Sequence, residues 1–298
     1  MKVLVTGSAS HLAQAFLPKL CAAPEVTQVT GVDLSPGRFQ HEKLRAIQMD
    51  IRDARLPALL QNQDALIHMA FVVLRGKMRA ADMHDINVTA SQHLFDHAKT
   101  AGIARIIHLS SASVYGSGEH LNEESAFHPL PGFLYAEHKA QLEIWLQAHH
   151  PQITCLRPHI ILGPDAQPLL KTIIQMPFYI QLPNPQPRLQ CVHEEDVADA
   201  IMLSLFSHTH GAFNLAAPDS FSLRDVIRQQ YRLAIPLPLS VARAGLQTAW
   251  KWFGAGGEPA WLDGVDKTLT LDCSKTQKEL GWHPNFSAAE ALNSVIQP

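Results

Sequence analysis

The chain has 298 residues, 46% of them hydrophobic and 17% charged, so it can bury a sizeable core and is not disordered. Its formal net charge of −3 makes no electrostatic case for nucleic acid or an anionic membrane. No apolar run reaches the ~18 residues of a membrane span.

The chain opens on Val3-Leu4-Val5, a short β-branched run that ends in Thr6-Gly7 and is followed by a helical pattern through Leu12, Phe16, Leu17 and Leu20. Val26 to Val32 ends in Asp33, Ala46 to Met49 ends in Asp50, and Ala65-Leu66-Ile67 leads to His68-Met69-Ala70. A long helix is predicted over roughly 80–100, with Met83, Ile86, Ala90, Leu94 and Ala98 on one stripe. Arg105 to Leu109 ends in Ser110-Ser111, a helix carries Tyr135, Lys139, Leu142 and Trp145, and Ile153 to Leu156 ends in Arg157-Pro158.

Short buried-type strands alternating with helices predict βαβ units: an α/β Rossmann-type, doubly wound parallel sheet. Such sheets bind ligands at the carboxyl ends of their strands, where Gly7, Asp33, Asp50, Ala70, Ser111 and Pro158 all fall.

After Pro164 the character changes. Pro177, Pro183, Pro185 and Pro187 interrupt the chain, a helix is expected over 196–206 and a strand over 212–215. Ser222 with Asp225, Ser274 with Gln277 and Ser287 with Glu290 have capping-box spacing and predict three helix starts. The expected division is a nucleotide-binding domain over 1–163, to which 192–217 adds a helix and a strand. A smaller substrate-binding lid takes 164–191 and 218–298.

Two stretches carry chemistry. In Thr6-Gly7-Ser8-Ala9-Ser10-His11-Leu12-Ala13, a turn after the first strand meets a helix start, which is how a pyrophosphate is held. Gly7 keeps the first of the three usual glycine places, while the small residues Ser10 and Ala13 hold the other two. Asp33, at the end of the second strand, is the candidate for the adenosine ribose hydroxyls. Its charge favours NAD over NADP, although Arg38 lies close by in sequence. The second stretch is Tyr135-Ala136-Glu137-His138-Lys139, whose i,i+4 spacing sets a phenol and an ammonium on one helix face. A neighbouring cation is expected to lower the phenol's pKa and fit it for proton exchange with a hydroxyl or carbonyl.

Cys21, Cys155, Cys191 and Cys273 form no CxxC and read as buried thiols in a reducing compartment. The first residues, MKVLVTG, show no signal-peptide pattern, and the expected location is cytoplasmic. His149, His150, His208 and His210 lack the companions of a metal site and read as solvated surface histidines, so no metal is expected.

With these pieces assembled, the chain resembles the extended short-chain dehydrogenase/reductase family, the NAD-dependent epimerase/dehydratase group. The matching stretches run nearly end to end: VTGSASHLA at 5–13, Asp33, MDIRD at 49–53, HMA at 68–70, INV at 86–88, LSSASVYG at 109–116, YAEHK at 135–139, LRPHIILGP at 156–164, VHEEDVADAI at 192–201, FNLAAP at 213–218 and LGWHP at 280–284.

The resemblance implies NAD as cofactor, with NADP less favoured, and a Ser-Tyr-Lys centre. Tyr135 would be the acid/base. Lys139 would hold the nicotinamide ribose and lower the phenol's pKa. Ser111, with Ser110 and Ser113 as alternatives, would hydrogen-bond the reacting oxygen. Gly7, Ser10, His11 and Leu12 would form the phosphate loop, Asp50 and Ile51 would flank the adenine, Met69 and Ala70 would line the cofactor's path, and Pro158 would lie near the nicotinamide. Asn87 reads as structural, and His193 and Asp196 as packing between the two domains. The implied substrate is a small hydroxyl or ketone compound, a sugar or nucleotide sugar first. A carbonyl reductase of a smaller or more apolar alcohol, and a non-catalytic NAD(P) sensor, are the alternatives. Ala112 and Ser113 stand where the family's dehydratases carry Asp and Glu, which argues against dehydration. Ile160 and Leu189 replace two polar grips on a diphosphate, with Arg188 one position away. A homodimer through the helices around 80–100 and 135–149 is expected.

Overall fold

The computed structural model describes residues 1–74, 76–253 and 259–296. Seven parallel strands form the central sheet: β1 (Lys2–Thr6), β2 (Gln28–Asp33), β3 (Leu44–Gln48), β4 (Ala65–His68), β5 (Arg105–Leu109), β6 (Thr154–Pro158) and β7 (Gly211–Leu215). Their order is β7-β6-β5-β4-β1-β2-β3. The order reverses between β1 and β4, so the crevice for a ligand opens at the carboxyl ends of those two strands.

The strand sequences follow from their positions. β4 and β6 are buried along their whole length and read as continuous runs, as strands covered on both faces do. β3 is one of the two edge strands, and its exposed Arg45 and Gln48 disfavour pairing of that edge with another chain.

Two layers of helices cover the sheet. On one face the helices His11–Ala22 and Glu194–Phe206 pack Phe16, Leu17, Leu20, Val197 and Ile201 against Val3, Val5 and Ile67. On the other, the segments of the 80–100 helix and the helix Leu134–His149 pack Leu94, Phe95, Leu142 and Leu146 against Leu4, Leu66 and Ile106. The 80–100 helix is continuous but not uniform. A π-helical turn, Asp85–Ala90, lies between the α-helical segments Ala80–His84 and Ser91–Thr100. The buried Asn87 lies in this turn.

The later residues form a smaller core around Leu162, Ile174, Cys191, Val226, Ala291 and Leu292. Three two-stranded parallel ladders lie outside the central sheet: Ile160–Leu162 with Cys191–His193, Phe178–Gln181 with Ile235–Pro238, and Gly118–Leu121 with Leu269–Leu271.

Two of the expected capping boxes form. Ser222 Oγ accepts from Asp225 N, and Ser287 and Glu290 exchange hydrogen bonds. The third helix does start at Ser274, but Asp272 caps it by accepting from Ser274 N at 2.8 Å. One histidine reading is corrected. His150 is buried, with Nε2 2.9 Å from Asp96 Oδ1, because the end of the Leu134–His149 helix folds it under Trp145. His149, His208 and His210 are exposed.

Candidate functional site

The β1 turn and the helix after it form a cradle from very few side chains. Gly7 has φ +76, and a Cβ there would stand 2.6 Å from Ala70 N and 2.7 Å from the Met69 carbonyl carbon. Only glycine fits, because the β4 end passes directly over it, with Met69 N donating to Thr6 O. Ser10 has φ −66 and ψ 163, an ordinary extended conformation. A glycine at that place is therefore unnecessary, and the apparently degraded loop keeps the one glycine its geometry demands. Ala13 is fully buried, so the helix lies close on the sheet.

Ser10 caps the helix His11–Ala22 without a side-chain cap bond, and its buried Oγ has no partner among the described residues. The N–H groups of His11 and Leu12 have no intrahelical acceptor, while Ala13 N donates to Ser10 O at 3.1 Å, and no acidic side chain stands in that turn. An unpartnered hydroxyl, free N–H groups and a glycine-floored turn fit a pyrophosphate.

Asp33 lies beside this loop. Its Oδ2 accepts from Ala9 N and its Oδ1 from Ser35 N, each at 3.0 Å, so it also fastens the phosphate loop to the segment after β2. Each oxygen keeps lone-pair capacity for a ribose hydroxyl. Arg38 is exposed. Asp50 accepts from Arg52, whose guanidinium holds its carboxyl below the usual range, and Ile51 is buried next to it. Ile51 and Arg52 also help wall a cavity of about 350 Å³ against Leu56, Asp85, Thr89 and His93.

Ser111, Tyr135 and Lys139 come together at the ends of β5 and the start of the Leu134–His149 helix. The Ser111 hydroxyl lies close enough to the Tyr135 phenol to favour its ionised form. Ser113 donates to Ser111 Oγ twice, from its N at 3.2 Å and its Oγ at 3.0 Å. Ser110 is turned away and donates to the buried Glu143 at 2.6 Å. The three serine alternatives differ: Ser111 lies beside the phenol, Ser113 braces Ser111, and Ser110 is turned to the core.

The expected electrostatics are corrected. Burial pushes the Tyr135 phenol up to about 12, outweighing the opposing influence of the nearby Ser111 hydroxyl. Burial also pulls Lys139 down to about 7, against the attraction of Glu143. Lys139 Nζ donates to Leu109 O and lies 3.6 Å from the centroid of the Phe71 ring, while the Tyr135 ring centroid is 5.8 Å away. Its charge is spent on a carbonyl and a ring face rather than on the phenol.

Phe71 also stands beside Tyr135 and Lys139. Its ring meets Tyr135 edge-on at 5.7 Å. The segment is held by Asn87, whose Oδ1 accepts from Val72 N at 2.7 Å and whose Nδ2 donates to Val72 O at 2.9 Å. Behind it are two buried histidines. His68 bonds Thr6 and Ser91, and His108 stacks on His68 with neither ring nitrogen partnered among the described residues. Pro158 is buried at the end of β6. Arg188, exposed, donates to Ser220 Oγ and to Ser220 O. His193 accepts from Glu195 N and stacks on Phe286, and Asp196 accepts from Asn285 N and Phe286 N.

A seven-stranded parallel α/β sheet whose order reverses between β1 and β4, with a glycine-floored turn after β1, is a Rossmann-type fold. The family model of the NAD dependent epimerase/dehydratase family matches residues 3–216, and the chain belongs to that enzyme family. An uncharacterised protein of Mycobacterium tuberculosis is 25% identical over 315 residues, covering 99% of this chain and 83% of that one. A UDP-glucose 4-epimerase of Mycolicibacterium smegmatis is 27% identical over 327 residues, covering 100% and 98%. The solved structure of DesIV, a dTDP-glucose 4,6-dehydratase of Streptomyces venezuelae with NAD and TYD bound, superposes with a TM-score of 0.79 at 23% identity, covering 99% and 96%. Among the described residues no helix is long and apolar enough to cross a membrane, and no cluster of ligating side chains could hold a metal ion.

Proposed function

We propose that the chain is an NAD-dependent oxidoreductase or epimerase that acts on a hydroxyl or ketone group, in a sugar or nucleotide sugar. The observation that carries the reading is the grouping of three side chains: the Ser111 hydroxyl beside the Tyr135 phenol, and Lys139, one helical turn on, with its Nζ 5.8 Å from the Tyr135 ring centroid. Gly7, Ser10, His11 and Leu12 would receive the pyrophosphate. Asp33 would bind the ribose, Asp50 and Ile51 would flank the adenine, and Met69, Ala70 and Pro158 would wall the remainder. When bound, the nicotinamide would supply hydride acceptance and return.

The protein's part is proton transfer and orientation. Ser111 holds the substrate oxygen, with its own hydroxyl fixed by Ser113. A phenol with a pKa near 12 is a proton donor at neutral pH, so Tyr135 stands ready to protonate a carbonyl oxygen. To take a proton from an alcohol it needs Lys139 as a nearby cation. Lys139, with a pKa of about 7, is an ammonium below that pH and able to bind ribose hydroxyls. The portions 164–191 and 218–298 would close over the substrate.

A second reading, reduction of a smaller or more apolar carbonyl compound, is supported by Ile160 and Leu189 together with the engagement of Arg188 by Ser220. Screening the NAD-loaded protein against UDP-sugars, free sugars and small secondary alcohols, followed by nicotinamide absorbance, separates the two. Turnover confined to secondary alcohols would remove the sugar reading, and absorbance unchanged by every class would remove both. We also propose a homodimer through the helices at 80–100 and Leu134–His149, where Ile144 is exposed. A monomeric mass by light scattering would exclude it.

A further inference from the structure

Glu143 lies one helical turn beyond Lys139 and is fully buried. Its Oε2 accepts from Ser110 Oγ at 2.6 Å, and its Oε1 accepts from Arg157 Nε at 2.7 Å and from a second guanidinium nitrogen. Ser110 immediately precedes Ser111, and Arg157 immediately precedes Pro158. One carboxylate therefore joins the end of β5, the Leu134–His149 helix and the end of β6, the three segments that carry Ser111, Lys139 and Pro158.

The far side of the network is closed as well. Arg157 donates to the Tyr115 hydroxyl at 2.6 Å and to Glu123 O at 3.0 Å, and Tyr115 donates to Asn214 Oδ1 at 2.8 Å.

Stability alone is a poor reason for such a pair. The desolvation of two buried charges commonly cancels their attraction, and apolar residues of similar volume serve as well or better. What an apolar pair lacks is an acceptor for Ser110 and a negative charge beside Lys139. The titratable groups around Lys139 are Tyr135 and Glu143 on its own helix, His68 on β4, His108 on β5 and Cys155 on β6. Burial keeps both histidines neutral and the Cys155 thiol protonated. Glu143 is the one anion in this set, and the cation it binds directly, Arg157, is shared with Tyr115.

We propose that Glu143 is the positioning residue of the centre. It holds the segments of Ser111, Lys139 and Pro158 in one register, and its charge keeps Lys139 a cation where a cofactor ribose would meet it. This rests on the reading that Lys139 binds the cofactor.

The test is calorimetric titration of NAD into the full chain from about pH 6 to about pH 9, on either side of the Lys139 transition. In the wild type, affinity falls as pH rises and the ammonium is lost. In Glu143→Gln that fall moves about one pH unit lower, the size expected when an opposite charge is removed nearby. Glu143→Asp, which keeps the charge, restores the wild-type midpoint. Because Glu143→Gln strands Arg157, Glu143→Gln with Arg157→Met is made alongside it as a folded, uncharged replacement. A lower melting temperature with affinity scaled equally at every pH would overturn the proposal. So would failure of both uncharged variants to fold, which would assign the pair to stability. Lys139→Met separates the two claims. If it leaves NAD affinity and its pH dependence untouched, the cofactor reading of Lys139 fails. If it flattens the profile while Glu143→Gln does not move it, only the role of Glu143 fails.

Discussion

Gly7→Ala probes the floor of the cradle. At φ +76 an alanine adopts the left-handed conformation at a cost of ~1–2 kcal/mol. Its Cβ would also stand 2.6 Å from Ala70 N, 2.7 Å from the Met69 carbonyl carbon and 2.9 Å from Ala70 Cα. All three atoms are backbone, so no side-chain rotation relieves the contact. Either β1 and β4 separate at their carboxyl ends or the turn shifts, and overpacking of this kind costs ~1–3 kcal/mol. The sum is about 2–5 kcal/mol, a large part of the ~5–15 kcal/mol by which a domain is stable. Gly102→Ala is the control. Its φ is +74, yet nothing lies within 4 Å of the added Cβ, so it carries the conformational cost alone. Urea denaturation with a common slope gives both values, and NAD titration reads the cradle directly. The expected result is a Gly7 penalty exceeding that of Gly102 by at least about 1 kcal/mol, with weakened NAD binding. Equal penalties and unchanged NAD affinity would refute the argument that the β4 end and the β1 turn form one floor.

Asn87→Ala removes both hydrogen bonds to Val72 and is expected to cost ~1–3 kcal/mol in urea denaturation, since a backbone donor and acceptor lose their partner. A loss below about 0.5 kcal/mol would mean that Asn87 does not hold the Phe71 segment. Acid should destabilise the protein early. His68 is held down to about 3 and His138 and His159 to about 4, all by burial, and His108 well below its usual value. The unfolded chain takes up these protons near pH ~6.5 and the folded chain does not, so stability falls as pH drops through that value and continues to fall toward ~4. Each histidine contributes on the order of 1.4 kcal/mol per pH unit in that window, and a melting temperature flat between about pH 6.5 and 5 would contradict their burial as neutral groups. NAD should bind more tightly than NADP, and Asp33→Asn should narrow the difference. Equal affinities in the wild type would give the ribose pocket to Arg38.

The strand ends were legible because β4 and β6 are buried on both faces, so their apolar runs stop where the sheet stops. The Tyr135–Lys139 spacing was legible because helical geometry fixes i,i+4 neighbours regardless of context. The environment of that pair was not. The i,i+4 relation brings the side chains near but does not say that Lys139 turns to Leu109 O and Phe71, or that burial outweighs charge at the phenol. Nor does the run Ser110-Ser111-Ala112-Ser113 say which hydroxyl faces the site, since that depends on Glu143, 33 residues away from Ser110. The network from Glu143 through Arg157 and Tyr115 to Asn214 leaves no periodic trace, because its partners lie on four separate elements. The loop at Gly7 shows the opposite case. Ser10 stands in a usual glycine place, yet its extended backbone makes a glycine there dispensable.

The central claim is that Tyr135 moves the substrate's proton beside a bound nicotinamide. Tyr135→Phe keeps the ring against Phe71 and removes only the hydroxyl. With the best substrate from the screen, the account predicts that nicotinamide absorbance changes in the wild type and stays flat in Tyr135→Phe, while calorimetry gives both proteins nearly the same NAD affinity. Turnover by Tyr135→Phe at the wild-type rate would contradict it.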